Sequence, residues 1–192
     1  RNRADRERVA GGDAVDRLFV RLRLALLEIR GQARGLIMRL LLRLASAEDA
    51  PVIWEMQKIA FRELLERYQD YDTSPANQSL DQLRLRCSQK DRYYYFIDVD
   101  GNPVGVLSVT DKQDGSLKRL SPMFILPQFQ GRGYAQEAIR QAEKIHGERG
   151  WELDTILQEE RLVHLYEKMG YRKTGKTAAV NPRMTLVFYQ KL

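Results

Sequence analysis

The stretch Ile125-Leu126-Pro127-Gln128-Phe129-Gln130-Gly131-Arg132-Gly133-Tyr134-Ala135 holds the residues whose types and spacing point most directly to chemistry. An apolar run from Met123 to Leu126 stops at a proline, two glycines follow, and a helical pattern runs from Tyr134 to about Glu148. That order spells a strand, a tight turn and a helix N-terminus. Glycines at such a turn let backbone N–H groups approach a ligand, and the first N–H groups of a helix have no internal partner. Their partial positive charge suits a phosphate or pyrophosphate. A glycine pair alone would serve equally as a plain turn. Here Gln130 to Ala135 fits Gln/Arg-x-x-Gly-x-Gly/Ala after a strand closed by Ile-x-Pro. It has neither the spacing of a nucleotide P-loop nor that of a dinucleotide fold.

This loop resembles the pyrophosphate loop of the GNAT acyltransferases, the superfamily that moves an acetyl group from acetyl-CoA to an amine. Downstream, Leu165-Tyr166-Glu167-Lys168-Met169-Gly170-Tyr171 is similar to the family's Leu-Tyr-Glu-Lys-x-Gly-Phe segment. The two segments stand in the family's order and near its spacing, and the resemblance covers roughly residues 38–192. It implies an α/β fold of the α+β GNAT-like kind: a central mixed, mostly antiparallel sheet, splayed at the cofactor site and flanked by helices. It also implies acetyl-CoA as co-substrate and direct transfer to a primary amine, of a small molecule or of a protein, without a covalent enzyme intermediate.

Carried onto this chain, the resemblance assigns backbone groups of Met123, Phe124 and Ile125 to the pantetheine arm. The loop amides of Gly131, Arg132, Gly133, Tyr134, Ala135 and Gln136 would take the pyrophosphate, with Gln130 and Arg132 as supporting side chains. Arg132 would serve the 3′-phosphate or stand as a solvated arginine. A backbone N–H of the Phe124–Ile125 region would meet the oxyanion. Tyr166 would protonate the departing thiolate, because a phenol is protonated at neutral pH; the bland alternative is a packed helix tyrosine. Two positions depart from the family pattern. The strand from Ser116 to Leu126 carries no acid, and Glu159 stands where relatives often have asparagine. Glu152 and Asp154, two apart on a strand, share a face and are the first candidates to bind an ammonium and relay its proton. On a covered face they require a cationic partner or water. Asp70 and Asp72 are the second choice.

The elements that must position these residues follow from periodicity. Arg39 to Leu44 alternates as a first strand, and Ser46 with Asp49 spells a capping box that opens a helix carrying Ile53, Ala60, Phe61, Leu64 and Leu65 inward to near Tyr68. A loop to Asn77 and a short helix capped by Ser79 come next. Tyr93 to Val99, Val104 to Val109 and Ser116 to Leu126 form a meander turned at Asp100-Gly101 and Asp114-Gly115. Two of Tyr93, Tyr94 and Tyr95 belong on one sheet face and one on the other. The glycine-loop helix should turn Ala138, Ile139, Ala142 and Ile145 inward. Trp151 to Leu157 is then a strand reached by a crossover, Arg161 to Met169 a helix, and Tyr171 to Thr174 and Met184 to Tyr189 the last strands.

Bulk properties set limits on this reading. With 43% apolar and 30% charged residues the 192-residue chain is that of a soluble globular protein. No apolar run is long enough to span a bilayer. Cys87 is the single cysteine, which fits a reducing, cytoplasmic setting, and no metal-ligand spacing exists. Neither a nucleic-acid nor a membrane partner is expected, and a homodimer is compatible with the pattern. Residues 1–37 differ from the rest: nine arginines, no lysine and five acids, for a charge of +4. A basic amphipathic helix over residues 14–29 would suit a membrane surface or nucleic acid. The alternative, which we favour, is an unselected extension before Met38. The competing functional class is a non-catalytic acyl-CoA-binding sensor, for which the missing strand acid and Glu159 speak; the intact Tyr166 segment speaks against it.

Overall fold

The computed structural model describes residues 39–192. The arginine-rich segment and its proposed helix lie outside the described residues. Among the described residues, seven strands form one sheet in the order β1-β2-β3-β4-β5-β7-β6, with β1 Leu40–Leu44, β2 Arg92–Val99, β3 Asn102–Thr110, β4 Lys118–Ile125, β5 Trp151–Ile156, β6 Arg172–Asn181 and β7 Met184–Lys191. Every neighbouring pair is antiparallel except β4 and β5. That parallel pair meets at two rungs, Lys118 with Trp151 and Arg119 with Glu152. Beyond Arg119 the strands part, so the β5 side of β4 from Leu120 onward has no strand partner among the described residues. The mixed, mostly antiparallel sheet and its opening agree with the α+β architecture read from the sequence.

Among the described residues, four helices flank the sheet: α1 Ala50–Tyr68, α2 Leu80–Cys87, α3 Tyr134–His146 and α4 Glu160–Lys168. The Ser46 capping box is present, but it first opens a 3-10 turn at Ala47–Asp49, and α1 proper begins beside Pro51. Gln69 ends α1 by adopting a left-handed conformation (φ 52°), a stop signal that its residue type does not announce. Ser79 and Gln82 make a reciprocal box at the start of α2. At the β2–β3 hairpin both Asp100 (φ 50°) and Gly101 (φ 81°) take the positive φ that a two-residue turn needs.

The core lies on both faces of the sheet. Tyr93 and Tyr95 face α3, where each ring meets His146, while buried Tyr94 points to the opposite side. Ala138, Ile139 and Ala142 of α3 are buried as expected, but Ile145 is 54% exposed. His146 holds the inward position in its place. It is hydrogen-bonded to Tyr95 Oη (2.9 Å) and Asp111 Oδ2 (3.0 Å), so its polar atoms are satisfied on the covered side. On the other face, α1 crosses the gap between the two halves of the sheet. Phe61 stacks edge-on against Phe124 of β4 at 5.6 Å, and Tyr68 packs with Ile156 of β5 and Met184 of β7. Strand β6 runs further than its sequence suggests, to Asn181, because it is an exposed edge without alternation and is interrupted at Gly175 (φ 85°). Among the described residues, no helix is long and apolar enough to cross a membrane.

Gly105 sets how closely β3 approaches β4 at the opening. A Cβ there would lie 2.3 Å from the Phe124 carbonyl oxygen and 2.9 Å from Ile125 Cδ1. Gly105→Ala is therefore expected to push β4 outward and cost about 1–3 kcal/mol of stability. Denaturant unfolding measures the loss, and a variant as stable as the parent would show that β4 yields freely at this point.

Candidate active site

A cavity of about 540 Å³ opens where β4 and β5 part. Its walls are the end of β4, the loop that follows, the first turn of α3, the C-terminal half of α1 and one side of α4. The loop is built in three steps. Pro127 starts a 3-10 turn, Phe129 is fully buried beneath it, and Gln130 Nε2 donates to the Ile125 carbonyl (3.0 Å), tying the turn to β4. Gly131 (φ 75°) and Gly133 (φ 80°) then take conformations that L side chains rarely adopt. Gly133 is the N-cap of α3 and brings no side chain to satisfy its first N–H groups, so this helix end faces the cavity without a side-chain cap.

Met123, Phe124 and Ile125 line the cavity from β4; Gln130, Gly131 and Gly133 line it from the loop; Tyr134, Ala135 and Gln136 line it from α3. Arg132 is the exception among the proposed cofactor residues. Its guanidinium turns back toward the Gln128 carbonyl (3.4 Å) and the Phe129 ring, away from the lining.

The three residues proposed for the chemistry are not in the cavity wall; they stand at and beside the gap. Tyr166 on α4 is buried, with its ring against Tyr171 (6.0 Å) and Tyr189 (6.4 Å). Burial, reinforced by the Asp154 carboxylate, pushes its phenol well above the ordinary value, so it keeps its proton at neutral pH. Asp154 and Glu152 share one face of β5, and both reach Arg119 of β4: the guanidinium is bonded to Asp154 and lies 3.8 Å from Glu152. Arg119 is the cationic partner that the pair requires, and nothing in its sequence neighbourhood singles it out. The signal available was its strand position beside the expected crossover partner. Of the second-choice acids, Asp70 is buried and receives the Thr73 N–H (2.9 Å) and hydroxyl (2.6 Å), so it serves its own turn.

Glu159, the departure from the family pattern, also has partners that its surroundings in sequence do not reveal. It accepts from Arg67 Nη1 (2.7 Å) and the Tyr68 hydroxyl (2.6 Å), fastening the end of α1 to the start of α4 along the cavity wall.

Several buried or half-buried groups titrate late, with a consequence for stability. Burial raises the Cys87 thiol from 9.0 to about 11. Burial and then Glu167 raise Tyr189 from 10.0 to about 12, and Tyr166 moves the same way. The unfolded chain loses these protons first, so the folded state binds more protons above about pH 9. Stability from these groups is complete below their unfolded values and is lost as pH climbs through the folded ones. The denaturation midpoint is expected to fall steadily between pH 9 and 11; a midpoint that rises or stays level there would contradict the burial of these groups.

Comparison with known proteins agrees with this geometry. Residues 53–171 match the family model described as the acetyltransferase (GNAT) family. No curated protein matches the chain. Similar solved structures include a spermidine N-acetyltransferase from Vibrio cholerae in complex with CoA and spermine, with TM-score 0.63 and 18% identity over 78% of this chain and 93% of that one. Another is an acetyltransferase from Thermus thermophilus, with TM-score 0.60 and 18% identity over 81% and 99%. A third is the PaiA N-acetyltransferase from Thermoplasma acidophilum in complex with coenzyme A, with TM-score 0.58 and 16% identity over 81% and 100%. At these identities the structures speak for the fold, and the family match speaks for the lineage. With the glycine loop, the parted strands and the matched segment in agreement, the chain belongs to the acetyltransferase (GNAT) family.

Proposed function

We propose that the protein is an N-acetyltransferase that uses acetyl-CoA and delivers the acetyl group to a primary amine of a small, cationic acceptor in the cytoplasm. The observation that carries this reading is the cavity at the strand opening, with a helix end that has no side-chain cap on one wall and, on another, the edge of β4 beyond its last rung with β5. Its residues fit the co-substrate. The Gly131–Gly133 turn and the start of α3 suit the pyrophosphate, and the edge of β4 at Met123–Ile125 suits the amide-bearing arm. Bound acetyl-CoA supplies an acyl group activated as a thioester.

The chain's own groups do the rest. Amides of the Phe124–Ile125 region hydrogen-bond the acyl oxygen in a site flanked by α1 and α4. Tyr166 gives its proton to the thiolate sulfur. Glu152 and Asp154, balanced by one guanidinium, leave a net charge of about −1 beside the opening, which attracts an ammonium and can receive its proton directly or through water. The spermine bound by the Vibrio cholerae neighbour is a cation of this kind and supports the acceptor class.

The test is free-thiol release from acetyl-CoA by the full chain against separate pools of polyamines, aminoglycosides, amino acids and lysine peptides. Release with one pool names the acceptor class. Acetyl-CoA binding without release from any pool would instead favour a non-catalytic acyl-CoA sensor.

A further inference from the structure

Tyr166 is a proton donor held in a place that makes donation difficult. Its phenol is buried, and burial together with Asp154 raises its titration above the ordinary value. An alkyl thiol has a reference pKa of only about 8.5. Passing the proton from phenol oxygen to thiolate sulfur therefore runs uphill. It also leaves a phenolate in a covered site, which is costly unless a hydrogen-bond donor meets it.

Two tyrosines pack on the Tyr166 ring: Tyr171, from the turn between α4 and β6, at 6.0 Å, and Tyr189 of β7 at 6.4 Å. The Tyr189 hydroxyl donates to Glu167 Oε1 (3.3 Å), so its proton is committed. That of Tyr171 is not. Tyr171 is buried, and its hydroxyl makes no hydrogen bond with a described residue. The Glu143 carboxylate stands beside it, but both carboxylate oxygens already accept from Lys191 Nζ, at 2.8 Å each. Burial first, and then Glu143, push the Tyr171 phenol well above its ordinary value, so it keeps its proton as a donor. Packing does not call for this oxygen. The family's Leu-Tyr-Glu-Lys-x-Gly-Phe segment has phenylalanine here, the same ring without a polar atom to bury, whereas an unpaired buried hydroxyl is destabilising.

We propose that Tyr171 is a positioning residue for the acid: its hydroxyl donates a hydrogen bond to the Tyr166 oxygen as that oxygen gives up its proton. The carbon–sulfur bond breaks, the sulfur takes the Tyr166 proton, and the negative charge passes from sulfur to the phenol oxygen, where Tyr171 stabilises it. Tyr166 recovers a proton from water before the next turnover. The inference rests on the reading of Tyr166 as the acid and names the group that offsets the cost of its burial.

The experiment measures thiol release from acetyl-CoA, with spermine as acceptor, for the full chain and for Tyr171→Phe, Tyr166→Phe and the double variant. Tyr171→Phe removes an unpaired hydroxyl and keeps the ring, so its denaturation midpoint should equal or exceed the parent's. Its kcat should fall about tenfold or more, with acceptor KM and the Kd of acetyl-CoA within about twofold of the parent. In the Tyr166→Phe background the same substitution should change kcat by less than about twofold, because the oxygen it serves is already gone. Parental kcat in Tyr171→Phe, with Tyr166→Phe still impaired, would overturn the inference and leave the acid reading standing. Equal losses in both backgrounds would mark a packing effect and overturn it as well. Parental turnover in Tyr166→Phe, or a parent that releases no thiol with spermine or any other pool named above, would remove the acid role and the inference with it.

Discussion

Tyr166→Phe is expected to lower turnover of acetyl transfer by about 10²–10³-fold while leaving the Kd for acetyl-CoA within about twofold. The substitution removes one oxygen and keeps the ring. The ring is what the fold uses: it is buried against Tyr171 and Tyr189, and the hydroxyl makes no hydrogen bond with another described residue. Stability should therefore change little, since no partner is left unsatisfied. What disappears is a proton held by a phenol whose titration lies above 10.0, pushed up by burial and by Asp154. That direction keeps the acid form populated through neutral and mildly alkaline pH, so in the parent this group should cause no fall in rate below about pH 10. Because the proton is needed only as the thiolate departs, the loss belongs in kcat, and the acceptor KM should move little. Single-turnover thiol release measures it. A variant with parental turnover would return Tyr166 to the role of a packed helix residue and move proton delivery to water.

The two segments that name the family were legible because their chemistry is local. Gly131 and Gly133 are required by positive φ, Pro127 by the end of a strand, and Ser79 with Gln82 by a reciprocal cap; each acts within a few residues. Tyr93, Tyr94 and Tyr95 were legible for the same reason, since strand alternation alone separates their faces. What the chain hid is every decision made across strands. Arg119 meets Glu152 and Asp154 only because β4 and β5 hold two rungs together before parting. Glu159 takes its partners Arg67 and Tyr68 from α1, 92 and 91 residues away, which nothing near it in the sequence announces. Ile145 and His146 show the limit of reading burial from residue type: the apolar side chain is outside, and the polar one is inside because Tyr95 and Asp111 satisfy it. Leu64 is half-buried because that part of α1 packs on Tyr68, Ile156 and Met184 and also walls the cavity.

Arg119→Met should be the most informative single change outside the cavity wall, because it separates the two properties that the acid pair combines. The guanidinium sits at the last rung before the strands part, bonded to Asp154 and near Glu152. Asp154 is the better covered acid, with a side chain 16% exposed against 39% for Glu152. Removing the arginine leaves two carboxylates on one strand face, one of them largely out of water and without its counter-charge. Breaking a covered ion pair from one side costs several kcal/mol, and the partial exposure of Arg119 and Glu152 reduces that to about 1–2 kcal/mol here. In the same variant the local charge passes from about −1 to −2, so a polycationic acceptor should bind more tightly, with KM lowered about threefold or more at low salt and less at high salt. Asp154→Asn is expected to move KM the other way. Combining the two changes should recover part of the stability lost in Arg119→Met, because the carboxylate left unpaired is then gone; the double-mutant cycle reads that coupling directly. If Arg119→Met were as stable as the parent and its acceptor KM unchanged, the acid pair would be a solvated strand end. Recognition of the amine would then have to be sought at Asp72 and the loop between α1 and α2.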